Sequence, residues 1–467
     1  MKVIRVQGLL VAALAFGLAF SCMNLFAQQA ASARVPVGPP GAPRVNVAGP
    51  QGPLPAALPA PAPSLAIHIG QSYDGVDFNG SNCGCLPPDT NAAVGGNYVA
   101  EAVNIQFRVF DKTTGAVLLD EPLSTLFGAA TGGDPYVMYD DTVGRWYVTG
   151  FDSNDTGLFI AVSNDATPVD GFKTYDLTAV GGFPDYQKPG YTKDAIFIGY
   201  NDFGSNGGYA RIVSINKAAI LGGTLTYYVN TPASQFRAMP PAQMHNTTSG
   251  GTEWFVSTDG TDAGGTTIRV TKMTKYLSNS AKFTYWSLPV TQYQQATTAD
   301  QPGGAGTVTV FPNTTTTQVH FRGGHLVTAM ASALAGDGFV YPKGLYYVIK
   351  TGAVPTLLTQ GVIDPGAGVA VQMVTVDEDK KRHLGLTWIE SSINEYLSMW
   401  IGNGTSSVKA DVAPGGGFFY QGSRLGDYSS TVLDPADRLT FWSANEYIGS
   451  DGSTDIWRTH LTSFTEH

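Results

Sequence analysis

One piece of sequence grammar recurs along this 467-residue chain and limits its fold more than any other feature. Gly133-Asp134-Pro135 opens a short run of strand formers ending at Asp140, and Gly144-Arg145-Trp146-Tyr147-Val148 follows as a second run. Gly426-Asp427-Tyr428 opens the same series much later, with Asp437-Arg438-Leu439-Thr440-Phe441-Trp442 as its second run. Looser copies begin at Pro88-Asp89, Pro184-Asp185-Tyr186, Met244-His245, Gln318-Val319-His320 and Gln372-Met373. The units thus start near residues 89, 134, 185, 245, 320, 372 and 427. Four strands and their loops fill about 40 to 50 residues, the size of one propeller blade, and each blade buries its faces only against its neighbours. The expected fold is therefore all-β: a single β-propeller, read as seven four-stranded blades. Six or eight stay open because the units near 245 and 320 are poorly defined. An irregular pair of β-sandwiches is the competing architecture. Ring closure is expected to use a strand around Tyr98 to Phe110 and the last strand near Trp457 to Leu461.

Composition agrees with many short strands and turns. The chain holds 56 Gly and 28 Pro with only 14% charged residues, which excludes a coiled coil or a charged disordered tail. Lys217-Ala218-Ala219-Ile220-Leu221 is the one helix-like turn. Lys2 and Arg5 precede an apolar run from Leu9 to Phe20 and then small residues, the form of a secretory leader, with cleavage after Ala27 (residues 1–27). That run is too short to span a membrane, which takes roughly 20 apolar residues. A lipoprotein reading through Cys22 is less favoured, since Ala19 stands where a Leu is usual. Residues 28–64 are rich in Pro, Ala and Gly and read as an extended, disordered linker. The propeller domain is then 65–467, exported to the periplasm, cell surface or medium and expected to be a monomer without a transmembrane span.

The net charge of −10 excludes nucleic acid as a partner, because no basic stripe is present to displace counterions. Lys380-Lys381-Arg382 reads as a polar turn. Without the leader two cysteines remain, Cys83 and Cys85, and export makes a local disulfide their natural state.

Pro87-Pro88-Asp89-Thr90-Asn91-Ala92-Ala93-Val94-Gly95, with Tyr98-Val99 and Glu101-Ala102-Val103-Asn104, resembles the opening motif of a family of secreted bacterial β-propeller-like proteins of unassigned activity. Gly133-Asp134-Pro135, Phe183-Pro184-Asp185-Tyr186-Gln187-Lys188, Gly426-Asp427-Tyr428-Ser429, Thr440-Phe441-Trp442 and Asn445-Glu446-Tyr447 are similar to its later landmarks. The resemblance spans about residues 85 to 460 and implies a fold and a compartment. It implies no catalytic residues.

In a propeller the innermost strand of each blade starts beside the central channel. Asp89, Asp134, Asp185 and Asp427 are therefore expected to converge on one channel mouth, with His245 and His320 as looser equivalents and Gln372 behind them. Carboxylates gathered there need a cation, a basic side chain or backbone N–H groups. The leading reading has each Asp capping its own turn, with no cofactor; the alternative is a shared Ca²⁺ with Asp89, Asp134, Asp185 and Asp427 as ligands. The acidic loops 152–157, 259–262 and 451–455 read as turns, since none completes an EF-hand loop. Tyr186, Tyr428 and Trp442 are candidate exposed aromatics able to stack on sugars, although aromatic strands in a propeller usually pack between blades. No nucleophile elbow, zinc-protease, Walker or dinucleotide motif occurs. The leading function is a binding module for an extracellular glycan, peptide or protein. A glycan hydrolase or lyase using channel Asp, Glu and His, and a structural or adhesive surface protein, are the alternatives.

Overall fold

The structure is a computed structural model. It describes residues 66–466 apart from 178–179, 181, 205–206, 233–236, 248–249, 259–263, 297, 305, 312–314, 406–408, 420–423 and 451–454. The expected leader, the linker to residue 64, Cys22, the 259–262 loop and most of the 451–455 loop lie outside the described residues.

The chain is an all-β propeller. Its inner strands are β2 (Asn91–Gly95), β3 (Tyr136–Asp140), β4 (Pro184–Tyr191), β5 (Gln243–Met244), β6 (Val319–Arg322), β7 (Ala370–Glu378) and β8 (Ser430–Leu433). Each inner strand lies beside the next in that order, and β8 returns to β2, so the strands close a ring. Outward from β2, β3, β4, β6 and β7 run meanders of three further antiparallel strands each. Beyond β5, which is two residues long, the single Pro241–Phe255 bridge leads to a three-stranded meander. The sheet that starts at β8 is completed by β1 (Ile67–Asp77), which pairs antiparallel with the last strand, β9 (Asp455–Glu466), from Ile67 opposite Glu466 to Asp77 opposite Arg458.

Closure therefore uses an earlier segment than the sequence reading chose. Tyr98 and Phe110 instead belong to the two strands next to β2. β1 hides from a periodicity search because it is an edge strand: most of its first half is exposed, so it lacks the apolar alternation of a buried strand.

Three of the hairpins after the inner strands, those of β3, β7 and β8, are encoded by aspartates that bind their own turns. Oδ1 of Asp140 accepts from the Thr142 N–H (2.9 Å), Oδ1 of Asp434 from Ala436 N–H (3.0 Å), and Oδ1 of Asp379 from Lys381 N–H (2.7 Å) and His383 N–H (2.8 Å). Lys380-Lys381-Arg382 is indeed a turn. The core is distributed between blades rather than centred. Ala100, Phe107 and Val109 of one blade pack on Val137, Trp146 and Val148 of the next, while Val94, Val99 and Phe110 pack on Trp442 and Leu461 across the closure. Trp442 is 3% exposed and lies 6.1 Å from the Tyr73 ring, so it is an inter-blade residue and no sugar platform. The helix-like turn is a one-turn helix, Lys217–Leu221, and a second that the sequence reading missed spans Leu123–Phe127. No helix among the described residues is long and apolar enough to cross a membrane.

Candidate functional site

Asp89 and Asp134 occupy the left-handed region, with φ of 58° and 48°. Asp tolerates that conformation because its short side chain can bond the nearby backbone. The resulting kink turns the chain into the inner strand just ahead of β2 and β3. In β4 the left-handed residue is Tyr186 (φ 56°), directly after Asp185, beside a bulge that shifts the register before Lys188.

The four aspartates come together in one cluster. The Asp427 N–H donates to Oδ1 of Asp89 (2.8 Å), and Asn104 Nδ2 donates to Oδ2 of the same carboxyl (2.8 Å). Asn104 also ties in the next blade, its Oδ1 accepting from the Asp134 N–H (2.7 Å). Tyr428 Oη donates to Oδ2 of Asp134 (2.9 Å). Two basic side chains complete the group. Arg424 Nη1 pairs with Oδ2 of Asp427 at 3.1 Å, and its guanidinium covers Phe311. Lys188, 3% exposed, points its ammonium at the faces of Tyr186 and Tyr428, 2.9 and 4.2 Å from the ring centroids. Among the described residues Lys188 Nζ, Tyr186 Oη and Oδ1 of Asp427 have no hydrogen-bond partner.

Burial and mutual repulsion govern the protonation of this ring. Burial, then Asp185 and Asp427, raise the Asp134 carboxyl from 3.8 to about 8. Burial and Asp427 take Asp185 to about 6. Asp89 is also raised, by burial and then Asp427 and Asp134, and Asp427 by burial. Burial lowers Lys188 well below the usual lysine range although four carboxylates oppose the change. The aspartates thus do more than cap their own turns. The sequence reading missed Lys188 and Arg424 as their partners. A signal was present in Lys188, a lone lysine within a strand of otherwise uncharged buried residues after Asp185. Tyr186 and Tyr428, expected to be exposed, are 5% and 1% exposed, because they pack with Tyr136 and Phe311 beneath the carboxylates.

The two histidines form a separate cluster deeper along the channel. Gln243 pairs in parallel with both Tyr191 and His320, and Tyr191 ends β4 whereas Asp185 begins it, so the histidines sit nearly a strand length beyond the ring. His245 Nε2 faces His320 Nδ1 at 3.0 Å with the rings stacked. His320 Nδ1 is 3.7 Å from Oδ2 of Asp377. Asp377 accepts from Leu433 N–H (2.8 Å), Glu378 N–H (2.7 Å) and the Arg322 guanidinium (3.1 and 3.3 Å). Burial pushes the Asp377 carboxyl up, but the Arg322 guanidinium beside it outweighs that and holds it below 3.8. His320 is driven down to about 3 by burial, so its ring is neutral. A small pocket of about 10 Å³, with Asp141, Gln243, His245 and Leu433 in its wall, lies beside this cluster.

No protein-family model and no curated protein matches the chain. Solved structures do align along most of it. The extracellular domains 1–2 of Drosophila Semaphorin 1b cover 86% of this chain and 88% of theirs at 8% identity and a TM-score of 0.41. The N-terminal domain of Nup159 covers 86% and 96% at 9% identity and 0.39. A PL25 ulvan lyase covers 79% and 90% at 10% identity and 0.38. At such identities and scores these likenesses carry nothing about ligand or activity; the sheet order above establishes the fold.

Cys83 and Cys85 are disulfide-bonded, with Cα atoms 5.1 Å apart. The Asp152 loop is a turn: Oδ1 of Asp152 accepts from the Asn154 and Thr156 N–H groups (3.0 and 2.9 Å).

Proposed function

We propose that this chain is an exported seven-bladed binding module whose acidic channel mouth receives a positively charged group. One observation carries the reading: aspartates from four different blades share a buried cluster with the two basic side chains Lys188 and Arg424. At neutral pH the surplus negative charge is met by protons, Asp134 keeping its own to about pH 8. A cationic ligand that displaces those protons gains the full attraction of the carboxylates. Two sources offer such a group: Ca²⁺, and an amine on an extracellular glycan or peptide.

Titration calorimetry at pH 8 with calcium chloride, chitosan oligosaccharides and a lysine tripeptide separates these sources. One of them is expected to bind stoichiometrically, with proton release and with affinity rising from pH 6 to 8. Asp134→Asn and Asp427→Asn should weaken binding at least about 10-fold, the cost of one charge-assisted contact. If none of the three binds more tightly than about 1 mM, the reading fails.

A hydrolase or lyase draws on a different property of the same place, the proton that Asp134 holds at neutral pH, which suits a general acid. Polysaccharide turnover that Asp134→Ala and Asp427→Ala both abolish in folded protein would favour it over simple binding.

A further inference from the structure

We propose that His245, His320 and Asp377 form a binding site for a first-row divalent metal ion of the Zn²⁺ class, distinct from the acidic mouth. His245 Nε2, His320 Nδ1 and a carboxylate oxygen of Asp377 all lie within 4.8 Å of one another. The two measured edges of that triangle are 3.0 and 3.7 Å. A tetrahedral ion with ligand bonds of about 2.0–2.1 Å sets its ligands about 3.3–3.4 Å apart, which the two distances bracket; to ligate, Asp377 Oδ2 would exchange the Arg322 hydrogen bond it accepts for the ion.

The hydrogen bonding around the imidazoles points the same way. Tyr191 Oη donates to Oδ1 of Asp141 (2.9 Å), so its oxygen accepts from His245 Nδ1–H (2.8 Å). His245 Nε2 then carries a bare lone pair aimed at His320. On the far side of His320, Nε2 faces Oε1 of Gln318 at 3.5 Å, and Gln318 is held in that orientation by the Thr431 N–H donating to the same oxygen (3.2 Å). His320 is therefore placed between two acceptors, while a neutral imidazole carries one proton. A metal ion bound by His245 Nε2 and His320 Nδ1 resolves the conflict, because the single proton of His320 moves to Nε2 and donates to Gln318. Each ligating histidine would then be oriented through its second nitrogen, the usual arrangement at such sites.

Charge is also compatible. Asp141 and Asp377 contribute two negative charges against one from Arg322, so a dication enters a site of net negative sign. Two imidazoles and one carboxylate favour Zn²⁺ or Co²⁺ over Ca²⁺, which takes six to eight oxygens. Three protein ligands leave a fourth position, and the pocket against His245 is about the size of one water.

The test uses the purified chain after stripping with a chelator. Co²⁺ should bind one-to-one with the visible absorption of a tetrahedral site, and Zn²⁺ should displace it. His245→Gln, His320→Gln and Asp377→Asn should each abolish the band. Gln318→Met, which touches no metal, should weaken affinity about 10-fold. Asp134→Asn, at the other cluster, should leave Co²⁺ binding unchanged while weakening the cationic ligand above, so the two proposals fail separately. Wild-type protein that is folded by circular dichroism yet shows neither the band nor one-to-one Zn²⁺ binding tighter than about 10 μM would overturn the site, whatever the variants do.

Discussion

Asp134 and Lys188 are opposite halves of one electrostatic arrangement, and their replacements should move stability in opposite directions with pH. Unfolding returns Asp134 from about 8 to its ordinary 3.8. The folded chain therefore binds the extra proton between those limits, and that contribution is complete below pH 3.8 and lost as pH rises through about 8. Asp134→Asn keeps the left-handed backbone accessible and removes the titration. Relative to wild type, its thermal midpoint should rise steadily between pH 4 and pH 8. Lys188→Met should do the reverse. Burial disfavours the Lys188 charge, so wild type loses stability as pH falls below the ordinary lysine range, and Lys188→Met escapes that cost. Thermal unfolding of both variants across pH checks the two signs together. Among single residues, the aspartates could be picked out from sequence because a repeated Gly-Asp or Pro-Asp marks four of the blade starts. Lys188 left only its isolation within a strand as a signal, and Arg424 and Asp377 left none, since their roles appear only when Asp134, Asp89 and His320 arrive from other blades.

At the scale of elements, closure depends on β1 docking against β9. Gly75 is the tight point: a methyl group there would collide with the Glu101 carboxylate, the Thr459 hydroxyl and Leu461. Its neighbour Val76 donates its N–H to Glu101 Oε2 (2.9 Å), which ties the closing strand to the first blade. Gly75→Ala should destabilise by about 1–3 kcal/mol, the usual cost of overpacking, with a lower denaturation midpoint in urea. Leu118→Ala, at an exposed position in an outer strand, should change it by less than about 0.5 kcal/mol. The inner strands and their Asp-capped hairpins were legible from local signals, because a turn that binds its own backbone is written within five residues. β1 was not, since an edge strand acquires its role from the strand it meets.

For the whole molecule, a ring with a carboxylate-rich mouth links stability to ligand. At pH 8, where Asp134 is losing its proton, a cation that occupies the mouth should raise the thermal midpoint. At pH 5 the same addition should raise it less, because protons already neutralise the ring. Differential scanning calorimetry with the cation found by titration measures both; an equal rise at the two pH values would contradict the linkage. Composition and repeat grammar sufficed for the all-β propeller and for the convergence of Asp89, Asp134, Asp185 and Asp427, because strand periodicity, turn chemistry and blade size are local properties. Which strand closes the ring, which cations enter the mouth, and that His245 and His320 face Asp377 instead of the aspartates were decided only by the tertiary structure. Those pairings join residues dozens to hundreds of positions apart, and their depth along the channel depends on bulges and register shifts that no short stretch of sequence encodes.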